Sequence, residues 1–126
     1  MKIRKLMNSK PAQKIFNWGL KNAPFALPIK PQCQTTHWIA FNHPNSSYPV
    51  HILVVPKVQL QDWLSIKSND IEIDMMREFI DLTQSLIQEY GLTDTGYRLI
   101  LNGGNYQTFP HLHVHLVSGD ATTTQA

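Results

Sequence analysis

The chain of 126 residues is short of several things at once. It has a single cysteine, Cys33, which excludes a disulfide framework and any multi-cysteine zinc site and suits a reducing compartment. No apolar run approaches the ~18–20 residues of a membrane span. Met1 to Lys10 carries basic residues with no apolar stretch behind them, so a signal peptide is not expected. The chain reads as soluble and cytoplasmic. The most uneven absence is of negative charge: all nine carboxylates fall at or after Asp62. Residues 1–21 carry Lys2, Arg4, Lys5, Lys10, Lys14 and Lys21, a charge of +6, and the remainder sums to −4. A solvated face of ordinary lysines accounts for such a start, and an anionic partner would also suit it. What is present, 42% apolar and 16% charged residues, fits one folded domain.

Three regions are expected along the chain. Residues 1–36 form a basic, Pro-interrupted amino-terminal segment, 37–119 a single domain, and 120–126 a polar, disordered tail. Within the first, residues 11–21 are expected to make a short helix with Pro11 in its first turn, and Pro24, Pro28 and Pro31 make 22–35 irregular. Strands are expected at 37–42, at 49–56 (Pro-Val-His-Ile-Leu-Val-Val-Pro) and at 97–102, the last stopping at Gly103-Gly104. The strongest helix lies at about 70–90. Met75, Met76, Phe79, Ile80, Thr83, Leu86, Ile87 and Tyr90 recur at helical spacing, Asn69 with Glu72 resembles a capping box, and Gly91 suits the position after the helix end.

The last expected strand carries the chemistry. His111-Leu112-His113-Val114-His115-Leu116-Val117 alternates strictly, which in a strand sets three imidazoles on one face and Leu112, Val114 and Leu116 on the other. That histidine face has three readings. It is a half-exposed surface with no task, a metal site completed by His51 or His43, or a nucleophilic site acting at phosphorus. Same-face neighbours in a strand stand ~6.5–7 Å apart at their roots, so three in a row converge awkwardly on one ion. Imidazole with an ordinary pKa near ~6.5 is largely a free base at neutral pH and can attack a phosphoryl centre. The preceding run Asn102-Gly103-Gly104-Asn105-Tyr106-Gln107-Thr108 offers backbone and side-chain donors for phosphate oxygens.

At these residues the sequence resembles the histidine-triad (HIT) family. His111-Leu-His113-Val-His115-Leu-Val is similar to its His-x-His-x-His-x-x signature. Pro49-Val-His51-Ile-Leu-Val-Val-Pro56-Lys57 is similar to its Pro-x-His strand, and Gly96 to Gly104 with Gln107-Thr108 to the strand and loop feeding the triad. The likeness runs from about Trp38 to Ser118. It implies an α+β fold with an antiparallel sheet and one main helix, commonly a homodimer, and nucleotidyl hydrolase or transferase activity. It makes His113 the nucleophile on an α-phosphate, with the His111 carbonyl fixing its tautomer and the His111 side chain supporting the site. His115, Gln107 and Thr108 would contact the phosphate or leaving group, Asn102 the phosphate side of the nucleotide, and His51 would be a further active-site histidine. A third histidine in place of glutamine points to the hydrolase branches.

Two features depart from the family pattern. Its Phe-x-x-Ile and Glu-x-Pro block has no counterpart in residues 1–36. Asn42-His43-Pro44 occupies the stretch where many members present an acidic residue to the ribose, leaving Asn42, His43 or Asn45 to hydrogen-bond it. The expected function is hydrolysis of a phosphoanhydride or phosphoramidate on a nucleoside monophosphate, through a covalent His113 intermediate. No metal or other cofactor is expected, the partner being a small nucleotide rather than a membrane or nucleic acid. A nucleotide-binding sensor, a nucleotidyltransferase and a metal-dependent histidine site are the alternatives.

Overall fold

The computed structural model describes residues 31–44, 46–67 and 69–121. The expected helix at 11–21, the irregular stretch as far as residue 30, and residues 122–126 of the expected tail lie outside them. Five strands form one antiparallel sheet in the spatial order β1-β2-β3-β5-β4: β1 Pro31–Gln34, β2 Trp38–Asn42, β3 Val50–Pro56, β4 Arg98–Leu101 and β5 Val114–Ser118. The α+β architecture is thus as expected. β1 is a correction, since residues 31–34 were expected to be irregular. Pro31 is accommodated because it opens an edge strand, at a register shift between Pro31 and Cys33.

The β-branched run at Val50–Pro56 lies inside the sheet, paired on one side with β2 and on the other with β5. Ile52, Leu53, Val54 and Val55 are all buried, so both faces of this strand are covered, and a nearly continuous apolar run is what that requires. One face presents Trp38, Ala40, Ile52, Val54 and Leu116 to the long helix. That helix, α1 (Asp70–Glu89), supplies Met75, Leu82, Leu86 and Ile87, and the short α2 (Leu92–Thr95) adds Leu92. The opposite face buries Ile39, Phe41, Leu53, Val55 and Val117. Trp38 joins the layers: its indole N–H donates to the Met75 carbonyl at 2.8 Å, and its ring centroid lies 4.9 Å from that of Phe79.

The helix ends follow the sequence signals in part. The Asn69 side chain accepts from the Glu72 N–H at 3.0 Å, while the Glu72 carboxylate accepts from the Lys67 N–H. Gly91 follows the last turn at φ 64°, a left-handed conformation that costs glycine nothing. Ile80 and Tyr90 were expected on the buried stripe and are exposed, because they sit at its margin and at the helix end. Among the described residues no helix is long and apolar enough to cross a membrane.

Removing the indole of Trp38 empties a fully buried site and takes away the second donor to the Met75 carbonyl, which keeps its bond within the helix. Trp38→Ala is expected to lower stability by ~3–5 kcal/mol, measured as a lower urea midpoint at constant slope; a loss under 1 kcal/mol would refute this account of the core.

Candidate functional site

The site grows from the pairing of β3 with β5. Their register sets His51 opposite Val117 and Leu53 opposite His115, so His51 and His115 are diagonal neighbours on one face. Diagonal pairs are within reach for long or aromatic side chains. The two rings meet through a hydrogen bond of 2.8 Å between His51 Nε2 and His115 Nδ1.

The strand itself differs from expectation. It begins at Val114, and His111, Leu112 and His113 precede it in irregular backbone. Only His115 is therefore presented by strand alternation. The reason lies in the backbone bonding of this stretch. The Leu112 N–H donates to Leu60 O at 2.8 Å and the His111 N–H to Phe109 O at 2.9 Å, so the chain is tied to neighbouring loops before the ladder starts. Leu112 is buried but lies outside the cluster of core residues that packs with α1.

His111 is turned inward. It is 1% exposed, and its Nε2–H donates to the carbonyl of Pro56 at 3.1 Å. Burial pushes its pKa down to about 4, partly offset by that carbonyl and reinforced by the nearby His113. The imidazole is thus a neutral structural donor beneath the site. Its backbone carbonyl faces the other way and lies 2.7 Å from His113 Nδ1. A carbonyl oxygen only accepts, so Nδ1 carries a proton, and the neutral form of the ring has its lone pair on Nε2.

The remaining rings form a row. The His43 ring stacks on His51 with centroids 4.4 Å apart, His51 lies 5.1 Å from His115, and His115 lies 5.0 Å from His113, edge to face. Tyr48 meets His51 edge-on at 5.6 Å, and Phe109 lies 6.4 Å from His113. Burial is the main reason His51 is pushed down to about 3 and His115 to about 4; repulsion adds to it, from His43 and His115 on His51 and from His113 and His43 on His115. Both rings are neutral at pH 7, each with one N–H and one lone pair. Among the described residues, no group of three or more His, Cys, Asp or Glu side chains is arranged to hold a metal ion.

The loop residues divide. Leu101 pairs with Val114, so Asn102 and His113 are the next residues along their two chains, and Asn102 is half-buried. Gly104 takes φ 58° as the loop makes a single 3₁₀ turn, Gly104–Tyr106. Gln107 uses its amide N–H groups within the scaffold, donating to Gln61 O at 2.7 Å and Phe109 O at 3.0 Å. Thr108 is exposed. The sequence reasoning passed over Ser46, whose hydroxyl hydrogen-bonds His51 Nδ1, and Tyr48. Both sit in the β2–β3 connection, where no periodicity announces which side chain turns back on the sheet.

These features describe a small α+β domain that lines up imidazoles beside a glycine-containing loop. The HIT domain matches residues 31–122, and the chain belongs to the HIT family. An HIT-like protein of Rickettsia prowazekii is 36% identical over 95 residues, 74% of this chain and 78% of the relative. A histidine triad protein structure from Clostridium difficile is 30% identical with a TM-score of 0.70, covering 86% of this chain and 91% of that one. A structure described as a HIT family hydrolase, from Legionella pneumophila, is 26% identical with a TM-score of 0.70 over 84% of this chain and 95% of its own.

The buried His111 has a consequence for stability. Its folded pKa of about 4 lies below the ordinary value near ~6.5, so the unfolded chain takes up the proton first. The stabilisation is complete above ~6.5 and is lost as pH falls towards ~4. Thermal melts from pH 7.5 to 4.5 are expected to show a falling Tm, with a shallower fall in His111→Gln; parallel curves for the two proteins would contradict this.

Proposed function

We propose that the chain is a nucleotidyl hydrolase that cleaves a phosphoanhydride or phosphoramidate bond at the α-phosphate of a nucleoside monophosphate. The observation that carries this reading is the 2.7 Å bond from His113 Nδ1–H to the His111 carbonyl, which commits the Nε2 lone pair to attack. Family membership and the hydrolase description of the Legionella protein support the reaction class. In the first step His113 Nε2 forms a bond to the α-phosphorus, and the bond to the leaving group breaks with its electron pair. Solvent supplies the proton that the leaving group takes. Water then attacks phosphorus, releases its proton to solvent, and returns the N–P pair to Nε2 as the nucleoside monophosphate departs. Asn102, Thr108 and the N–H groups around Gly103 and Gly104 are the proposed phosphate donors. Gln107 acts mainly as a brace, given the bonds its amide makes. His43, stacked on His51, borders the proposed ribose side.

The test is turnover of adenosine 5′-phosphoramidate with a chelator present, and mass detection of an adenylyl adduct. His113→Ala is expected to reduce kcat by ~10³-fold or more and to abolish the adduct while AMP binding is retained. Wild-type-like activity in His113→Ala would overturn the nucleophile assignment, and nucleotide binding without turnover by the unaltered protein would replace the hydrolase with a sensor.

A cytoplasmic homodimer belongs to the same proposal. The single cysteine accords with a reducing compartment. Within the described sheet β4 is an edge strand, and Tyr97, Leu99 and Leu101 on it and just before it are exposed. An apolar edge strand is a template for pairing with a second copy. Sedimentation at micromolar concentration is expected to give a dimer for the unaltered chain and a monomer for Leu99→Lys; a monomeric unaltered chain would refute it.

A further inference from the structure

The imidazole row does not end at His51. Ser46 Oγ hydrogen-bonds His51 Nδ1, His51 Nε2 meets His115 Nδ1 at 2.8 Å, and the His115 ring stands edge to face with His113. We infer that Ser46 is a positioning residue that sets the direction of this line of hydrogen bonds, so that His115 presents an N–H, rather than a lone pair, to the phosphate of the nucleotide. The inference rests on the hydrolase reading for its ligand, though not for its test.

Two settings of the line are possible for neutral rings. In one, the Ser46 O–H donates to His51 Nδ1, the His51 Nε2–H donates to His115 Nδ1, and the His115 proton sits on Nε2. In the other, every bond is reversed and Nε2 of His115 carries a lone pair. The surroundings of Ser46 favour the first. Its oxygen already accepts the Tyr48 N–H at 3.0 Å. With the hydroxyl proton on His51, one lone pair meets Tyr48, the proton meets Nδ1, and each donor has its acceptor. In the reversed setting the same oxygen takes two N–H donors, and the hydroxyl proton must find another acceptor.

The chemistry of the ligand selects the same setting. Phosphate oxygens are acceptors, so a ring nitrogen facing them is useful only as a donor; a lone pair there would repel them. The line keeps its direction only while the rings stay neutral. Among the described residues, His43 and Tyr48 beside His51, and His113 beside His115, are the titratable groups in ring contact with the line, and the low pKa values of His51 and His115 hold both uncharged at pH 7.

The tautomers are directly measurable by long-range ¹H–¹⁵N correlation on the intact protein at pH 7.5, without substrate. The expected result is a protonated Nε2 and an unprotonated Nδ1 for His115. Ser46→Ala is expected to give a mixture, and Ser46→Thr, which keeps the hydroxyl, the unaltered pattern. Turnover of adenosine 5′-phosphoramidate should follow, falling several-fold in Ser46→Ala and recovering in Ser46→Thr, while melting temperatures report any general damage. A proton on Nδ1 of His115 in the unaltered protein, or an unchanged pattern in Ser46→Ala, would overturn the inference. Absence of turnover in the unaltered protein would instead remove the hydrolase reading and leave the tautomer result standing.

Discussion

The pairing of β3 with β5 is the constraint on which the rest depends. Five residue pairs, from Val50 with Ser118 to Val54 with Val114, join the two strands in the interior of the sheet. Side chains alternate along each strand, so this register decides two things together. It turns Ile52, Val54 and Leu116 towards α1, and it turns His51 and His115 to the other face. A slip of one residue would exchange the two sets, burying imidazoles under the helix and losing the apolar contact. The core and the site are therefore one choice of register, and the free energy of the core holds the histidines in line.

Around that frame, carbonyls and a hydroxyl organise the imidazoles. Pro56 O anchors His111, His111 O orients His113, and Ser46 Oγ meets His51. A carboxylate in any of these positions would draw a proton onto its histidine and raise the pKa. Neutral partners leave the His113 tautomer defined and do not oppose the burial that keeps His51 and His111 uncharged at pH 7, and the Nε2 lone pair of His113 is the one the proposed attack would use. The lack of any Asp or Glu before residue 62 acquires a physical sense here, because Ser46, His51 and Pro56 all lie in that stretch.

The loops carry the finer adjustment. Leu112 bonded to Leu60, and Gln107 bonded to Gln61 and Phe109, tie the approach to β5 to the segment after β3. This bracing draws His111 inward and leaves its carbonyl available to His113. The departure of residues 111–113 from strand geometry is thus what separates three similar histidines into an anchor, a proposed nucleophile and a proposed donor.

Much of this was legible in the residues alone. The β-branched run at 50–56, the apolar repeat of 75–87 and the Asn69 and Gly91 signals specify their elements by local sterics and periodicity. The His-x-His-x-His pattern identified the family. Other features were settled only when the chain folded. Pro31 to Gln34 became a strand because β2 offered an edge, against local propensity. His111 went inward because Pro56, 55 residues away, presents a carbonyl to it. Ser46 and Tyr48 reached His51 through a turn whose path no periodic pattern encodes. Periodicity reports which face a residue occupies in a regular element. Which atom it meets across the sheet depends on register and loop bracing, and those are properties of the assembled structure.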